Sequence, residues 1–428
     1  MKKSIMHRTM SVAIVGVVSF AAATTSFSVA AAGTTGPLAW DFAYDASDRI
    51  VRISGPGGRG VSIAYKLDEK QRPRTIVATY SDASSTALDL DESGRRRSMT
   101  DAAGTVQYEY DMEGRMSAVR QKGSPSLVCT YDTFGRRTSA SLGEGLTIRY
   151  SYDFLGRLAA IDTPAGRIGY EYRAGERRII RTLPNDVSTT LDYGPDGSLK
   201  EICHGAKDNT LLLRLTYAYR ADGQLSGIKE QSDAGGKSLG YEYDSSHRLV
   251  AFFTTSGARI EYSHDKLGNR TGLTEGGRRS EIYKYDWAGR LASLNGRDCT
   301  HDETGNLCSY TGRDGKREFE FDAANRLKAA KTGAGQVRYE YDGDGNLVAR
   351  IADGVTTRFI PDPGADTWRP LFAIGPRGER TLYVWEGDMP LAEIRGGEAR
   401  FYLPDHLGST RLVVDRGGTV VARADYSP

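Results

Sequence analysis

Cysteine and histidine are scarce: 4 and 6 in 428 residues. The cysteines, Cys129, Cys203, Cys299 and Cys308, form no C-x-x-C pair, which excludes a zinc ribbon. Asp342-Gly343-Asp344-Gly345-Asn346 opens like a calcium loop. Its sixth place holds Leu347 instead of glycine and its twelfth holds Asp353 instead of glutamate, so it reads as a hairpin turn. No P-loop, dinucleotide fingerprint or G-x-S-x-G elbow occurs. The glycine-rich Gly55–Gly60 stretch precedes a strand and lacks the helix N-terminus that would hold phosphate. The expectation is therefore no catalytic, cofactor or metal site, and no enzyme. Charge of one sign is lacking too. Setting aside Lys2, Lys3 and Arg8 of the first 32 residues leaves 54 basic side chains against 55 acidic ones. Nucleic acid is not an expected partner, and Arg95–Arg97 and Arg278–Arg279 read as solvated turns.

Long apolar runs are absent except at the start. Lys2, Lys3 and Arg8 precede an apolar stretch, Ser11–Thr24, and small residues at Ser28–Ala32. This is the pattern of a secretory signal peptide over residues 1–32. The apolar run is shorter than a membrane span. The expected product is exported, without a membrane span after cleavage, and periplasmic, secreted or on the cell surface. No stretch beyond it sustains a 3.6-residue apolar period, so helix is not expected.

What the chain has is glycine (50), tyrosine (24) and a repeated phrase. YEYDMEGRM (Tyr108–Met116), YSYDFLGRL (Tyr150–Leu158), YEYDSSHRL (Tyr241–Leu249), YKYDWAGRL (Tyr283–Leu291) and YEYDGDGNL (Tyr339–Leu347) are its cleanest copies. With the second tyrosine as marker, fifteen units run from Tyr44 to Tyr341, mostly 20 or 21 residues apart. A fixed period of this size marks an array of identical supersecondary units. Longer steps imply loop insertions, and the 16-residue step from Tyr285 to His301 implies a shortened hairpin. His264 and His301 stand where the marker tyrosine would be.

Each unit reads as a β-hairpin. Tyr-x-Tyr puts two aromatics on one face of a strand. Asp-x-x-Gly-Arg gives a three-residue loop whose glycine takes positive φ. At Tyr110 the loop is Met112, Glu113 and Gly114. Asp111 then faces Arg115, a cross-strand pair of roughly 0.2–1 kcal/mol, and Tyr110 faces Met116. The framework residues are Tyr110, Asp111, Gly114 and Arg115, then Tyr152, Asp153, Gly156 and Arg157, then Tyr285, Asp286, Gly289 and Arg290. One hairpin is marginal alone, and a stack gains stability by burying the aromatic stripe. The same register, with Asp302 opposite Asn306, sets Thr300 against Cys308 and Cys299 against Ser309. The two sulfurs then point to opposite faces, against a local disulfide.

These phrases resemble the YD repeats of RHS proteins, a group with the B and C components of insecticidal Tc toxins, wall-associated proteins and teneurins. Thr381–Ile394 and Phe401–Pro428 look like the RHS repeat-associated core segment, with its hallmark run Asp405, His406, Leu407, Gly408, Ser409, Thr410 and Arg411. The resemblance implies an all-β fold: an array of YD-repeat hairpins forming a spiral β-sheet shell or partial shell. It implies an array over 33–350 and a core segment over 351–428, truncated before the family's autoprotease and toxin regions. Asp405-x-x-Gly408 and Asp415-x-x-Gly418 read as hairpin turns, not a protease dyad.

The expected function is a secreted, non-enzymatic scaffold that associates with or encapsulates another polypeptide, as in toxin delivery or bacterial competition. The alternatives are a cell-surface adhesion or carbohydrate-binding module and a remnant of a self-processing toxin carrier. A surface glycan would stack on Trp40, Trp287, Trp368 or Trp385, against the simpler reading that each fills a gap between hairpins.

Overall fold

The computed structural model describes residues 40–426 apart from Gly123 and Glu144, so the expected signal peptide lies outside the described residues. Those residues are all-β. They form 38 strands between Asp41 and Arg423, with two 3-10 turns at Pro56–Gly58 and Ala174–Glu176. Among them, no helix is long and apolar enough to cross a membrane.

The strands belong to two antiparallel sheets, of 25 and 13 strands. Consecutive strands pair in four runs: Asp41–Gln121, Leu127–Leu294, Thr300–Pro361 and Pro370–Arg423. Two compact units result, each built from one early and one late run. The first combines residues up to Pro125 with Arg297–Pro361, and the second combines Ser126–Gly296 with Asp362–Pro428. The expected boundary between 350 and 351 falls inside the strand Leu347–Ala352.

The repeat's physics is legible in each turn. Tyr110 pairs with Met116. The Asp111 N–H donates to the Arg115 carbonyl at 2.9 Å, and Gly114 N–H to the Asp111 carbonyl at 3.0 Å. The Asp111 carboxylate accepts from the Arg115 N–H (2.8 Å) and from Arg115 Nε (2.6 Å). The Asp153–Arg157 and Asp286–Arg290 turns repeat this. Where the marker is tyrosine, its hydroxyl commonly grips the preceding hairpin. The hydroxyls of Tyr110, Tyr152, Tyr172, Tyr285 and Tyr341 donate to the carbonyls of Arg96, Arg137, Leu158, Arg270 and Leu327, at 2.8–2.9 Å. The guanidiniums of Arg95, Arg136 and Arg157 lie 4.7, 4.5 and 4.1 Å from the ring centres of Tyr110, Tyr152 and Tyr172. In these repeats Asp, Arg and Tyr link each hairpin to its predecessor.

The register departs from expectation in two ways. At Tyr65 the hairpin runs two residues further and turns at Asp68–Arg72. Between Tyr285 and His301 the hairpin is short, with strands Leu291–Leu294 and Arg297–Asp298, as the 16-residue step implied. The bulge that most hairpins carry just before the marker, as at Glu109/Tyr110, Ser151/Tyr152 and Lys284/Tyr285, also falls at Thr300/His301 and sets Thr300 against Ser309, not Cys308. The extra residue of the bulge advances the partner strand by one. Cys308 is a free thiol, so no bridge to Cys299 forms.

Positive φ is the turn's fixed demand, not glycine itself. Asp48, Gln71, His247 and Asn325 meet it in the Asp45, Asp68, Asp244 and Asp322 turns. Gly135, at φ 81°, has open space where a Cβ would go. Gly135→Ala is therefore expected to cost about 1–2 kcal/mol through backbone strain alone, and Gly135→Asn distinctly less. Urea unfolding of the two variants checks the order.

Burial follows the two-residue period. In Glu398–Pro404, Ala399, Phe401 and Leu403 are buried, while Glu398 and Arg400 are exposed. Pro370–Ile374 is buried at four successive positions, as a strand covered on both faces must be. The second unit's core draws on both of its runs: Ile148, Ile161, Ile168 and Leu215 from the early one, Leu371, Phe372, Leu382 and Phe401 from the late one.

Candidate functional site: clasps between early and late hairpins

The side chains of interest lie where the late run of each unit seats on the early run. In the first unit Arg96 leaves its turn toward the face opposite Arg95, because successive strand residues alternate. It forms an ion pair with Asp344 in the turn Asp342–Asn346. The Gly343 N–H donates to Asp101 Oδ2 at 2.6 Å. A Cβ on Gly343 would stand 2.3 Å from Thr86 Cγ2 and 2.9 Å from Met99 Sδ, so only glycine lets this turn sit so close to the early strands. Arg59 makes a second clasp. It donates to Asp302 Oδ2 (2.9 Å), to the Asp322 carbonyl (2.5 Å) and to Asn325 Oδ1 (3.1 Å). The Arg95–Arg97 run is thus not a solvated turn throughout, since Arg96 is half-buried and paired across the layers.

The second unit has a denser set. The Asp362 side chain is 1% exposed and lies between two guanidiniums. Arg137 of the early run donates to it through both terminal nitrogens, one at 2.9 Å. Arg369 donates from Nη2 and Nε at 2.9 and 3.1 Å. Burial opposes the Asp362 charge, but the two arginines hold its carboxyl below the usual range. Arg181, almost fully buried, pairs with Glu386. Asn185 Nδ2 donates to the Asp415 carbonyl at 2.8 Å. His204 is fully buried. Its Nε2 lies 3.1 Å from the Pro404 carbonyl and its Nδ1 2.9 Å from Thr189 Oγ1. A carbonyl only accepts, so Nε2 carries the proton and Nδ1 accepts from the threonine hydroxyl. The arrangement fixes and seals two β layers, and it aligns no nucleophile with a base.

The family model of the teneurin YD-shell matches residues 88–209 and 205–428. The chain belongs to the teneurin YD-shell family. Double-stranded DNA deaminase toxin A of Burkholderia cenocepacia is 26% identical over 404 residues, 89% of this chain and 25% of that protein. Toxin protein Tse5 of Pseudomonas aeruginosa is 26% identical over 358 residues, 72% of this chain and 25% of that one. The YD-shell chain thus spans about a quarter of the length of these relatives. The crystal structure of TcdB2-TccC3 superposes with a TM-score of 0.69 at 15% identity, over 91% of this chain and 24% of that one. At that identity the likeness concerns the fold.

In this YD-shell the Asp405–Arg411 run closes a hairpin. Asp405 N–H donates to the Ser409 carbonyl at 2.9 Å, and Asp405 Oδ1 accepts from Leu407 and Ser409 N–H. His406 packs against Tyr217, with ring centres 4.7 Å apart. Gly408 takes φ 81° beside the Met389 side chain, and Thr410 opens the returning strand. Arg411, 8% exposed, donates to Glu230 (2.7 Å), Asp425 (2.8 Å) and the Ala424 carbonyl (3.0 Å). Asp415 and Gly418 close another hairpin.

The four tryptophans have different settings. Trp40 covers Gly55, in the first unit. Trp287 is exposed at the tip of the Asp286 turn, and Trp368 is exposed on a loop. Trp385 is half-buried, with Nε1 donating to the Pro370 carbonyl at 2.7 Å. Sequence reading passed over the clasps, although the doubled arginines of GRR at Arg95–Arg96 and Arg136–Arg137 carried a signal. The first arginine of each pair serves the turn and the second faces the other layer.

Asp342 differs from its counterparts. Burial, with Asp344 and Asp101 nearby, pushes its carboxyl up to about 6 despite hydrogen bonds from Asn346. A folded pKa above the unfolded value, about 4, favours folding below pH 4 and loses that contribution as pH rises through 6. The first unit is expected to lose about 1–3 kcal/mol from this group between pH 4 and 8. Asp342→Asn should flatten that slope, as read from urea midpoints across the range.

Proposed function

We propose that this YD-shell is an exported, non-enzymatic scaffold that associates with or encloses another polypeptide, within a toxin-delivery or competition system. Residues 351–428 act in this reading as the core segment that closes the array. The observation that carries it is the seating of the late run on the early hairpins by buried ion pairs, chiefly Arg137–Asp362–Arg369. Such ion pairs hold the late run closed on the early hairpins. The named relatives are toxins of which this chain matches a quarter, which supports a containing role beside a separate active polypeptide. Co-expression with the product of the adjacent open reading frame, followed by limited proteolysis, tests this. A co-purified partner that resists protease until the shell is unfolded is the expected result. A partner as protease-sensitive as when free would overturn containment.

A further inference from the structure

Six large apolar side chains of the described residues are more than three-fifths exposed: Met112, Phe134, Phe154, Leu155, Leu267 and Leu407. All six sit at the tips of Asp-x-x-Gly turns. The turn does not need them. The same closure is made with Glu92-Ser93 after Asp91 and with Ser245-Ser246 after Asp244. The apolar choice therefore answers to something outside the hairpin.

In the second unit two such tips are neighbours. Phe134 is 82% exposed, and Phe154 and Leu155 are 93% and 63% exposed. The strand returning from the first turn, Arg137–Ser141, pairs antiparallel with the strand rising to the second, Thr147–Tyr152. Both tips thus stand on one sheet edge, about 10 Å apart at two strand spacings.

Each tip is prepared to leave water. Asp132 Oδ1 accepts from Phe134 and Arg136 N–H, and the Asp132 carbonyl from Gly135 N–H, at 2.9–3.0 Å. Asp153 does the same for Leu155, Arg157 and Gly156. Those N–H groups need no new partner in an apolar medium. Each carboxylate is also paired with its own arginine at 2.7 Å, so neither turn carries net charge. The Arg136 guanidinium lies 5.1 Å from the Phe134 ring centre, behind the apolar tip, where the phosphates of a lipid layer would stand. Convex tips free on nearly all sides suit a deformable medium, and their neutrality complements a zwitterionic surface.

We propose that the edge formed by Phe134, Phe154 and Leu155 inserts shallowly into a phospholipid bilayer and holds the shell at a net-neutral membrane surface. Flotation of the full chain with phosphatidylcholine vesicles tests it. The wild-type chain is expected to float, and the Phe134→Ser/Phe154→Ser/Leu155→Ser variant to lose binding at least about tenfold, with an unchanged unfolding midpoint because the replaced side chains contact little. Phe154→Trp in the otherwise wild-type chain should shift its emission to the blue on adding vesicles. Absence of wild-type flotation, equal flotation of the triple variant, no spectral shift, or binding only to vesicles containing phosphatidylserine would each overturn the proposal.

Discussion

Asp362→Ala is expected to destabilise the second unit by about 3–5 kcal/mol, the range for breaking a buried ion pair from one side. The carboxylate is 1% exposed and its two arginines are 15% exposed. Removing it leaves two guanidiniums facing each other with little water to screen them. Urea unfolding followed by tryptophan fluorescence reads the loss, since Trp385 donates to the carbonyl of Pro370 beside Arg369. Replacing Arg137, Asp362 and Arg369 together by apolar residues of similar volume should cost far less than the single change. The contrast separates an unpaired-charge effect from loss of packing. A single variant within about 0.5 kcal/mol of wild type would mean that the clasp does not hold the late run in place.

Much of this architecture was legible in the chain. Tyr-x-Tyr-Asp-x-x-Gly-Arg encodes a face, a turn and a cross-strand pair at once, because each residue's role depends on neighbours within five positions. Local rules fell short one step beyond the turn, where the repeat inserts an extra residue just before pairing reaches the marker. The bulge at Thr300/His301 is the one found at Glu109/Tyr110, Ser151/Tyr152 and Glu340/Tyr341, and a pairing extended residue by residue from the turn misses it. The clasps were hidden for a different reason. Arg137 and Asp362 are 225 residues apart in sequence, and their meeting depends on how one run seats upon another. Only the doubling of arginine after the turn glycine hinted that the second one had its own task. The glycine of the turn taught the converse lesson: its role was readable, but Asn325 and His247 fill it as well, because the demand is on φ.

Acidification is expected to loosen the second unit through His204. Burial, with Arg181 and Arg411 nearby, lowers its pKa to about 3, against a smaller upward pull from the Pro404 carbonyl. Unfolded, the imidazole titrates at about 6.5. The folded pKa is the lower one, so this group's contribution is complete above pH 6.5 and is lost as pH falls toward 3. A difference of this size corresponds to on the order of 5 kcal/mol over that interval. Protonation would add a proton at Nδ1, which now accepts from Thr189, and would set a cation among guanidiniums in a site without solvent. His204→Gln keeps a donor and an acceptor but cannot charge, and should remove most of the acid slope while costing some stability at pH 7. The slope predicted for Asp342 in the first unit has the opposite sign, since a raised carboxyl is the better folded partner in acid. Asp362, held low by its arginines, sides with His204 and weakens the second unit as it protonates. Urea midpoints of the wild type, Asp342→Asn and His204→Gln between pH 4 and 8 should therefore diverge in opposite directions. Parallel profiles for all three would show that neither buried group governs the acid response.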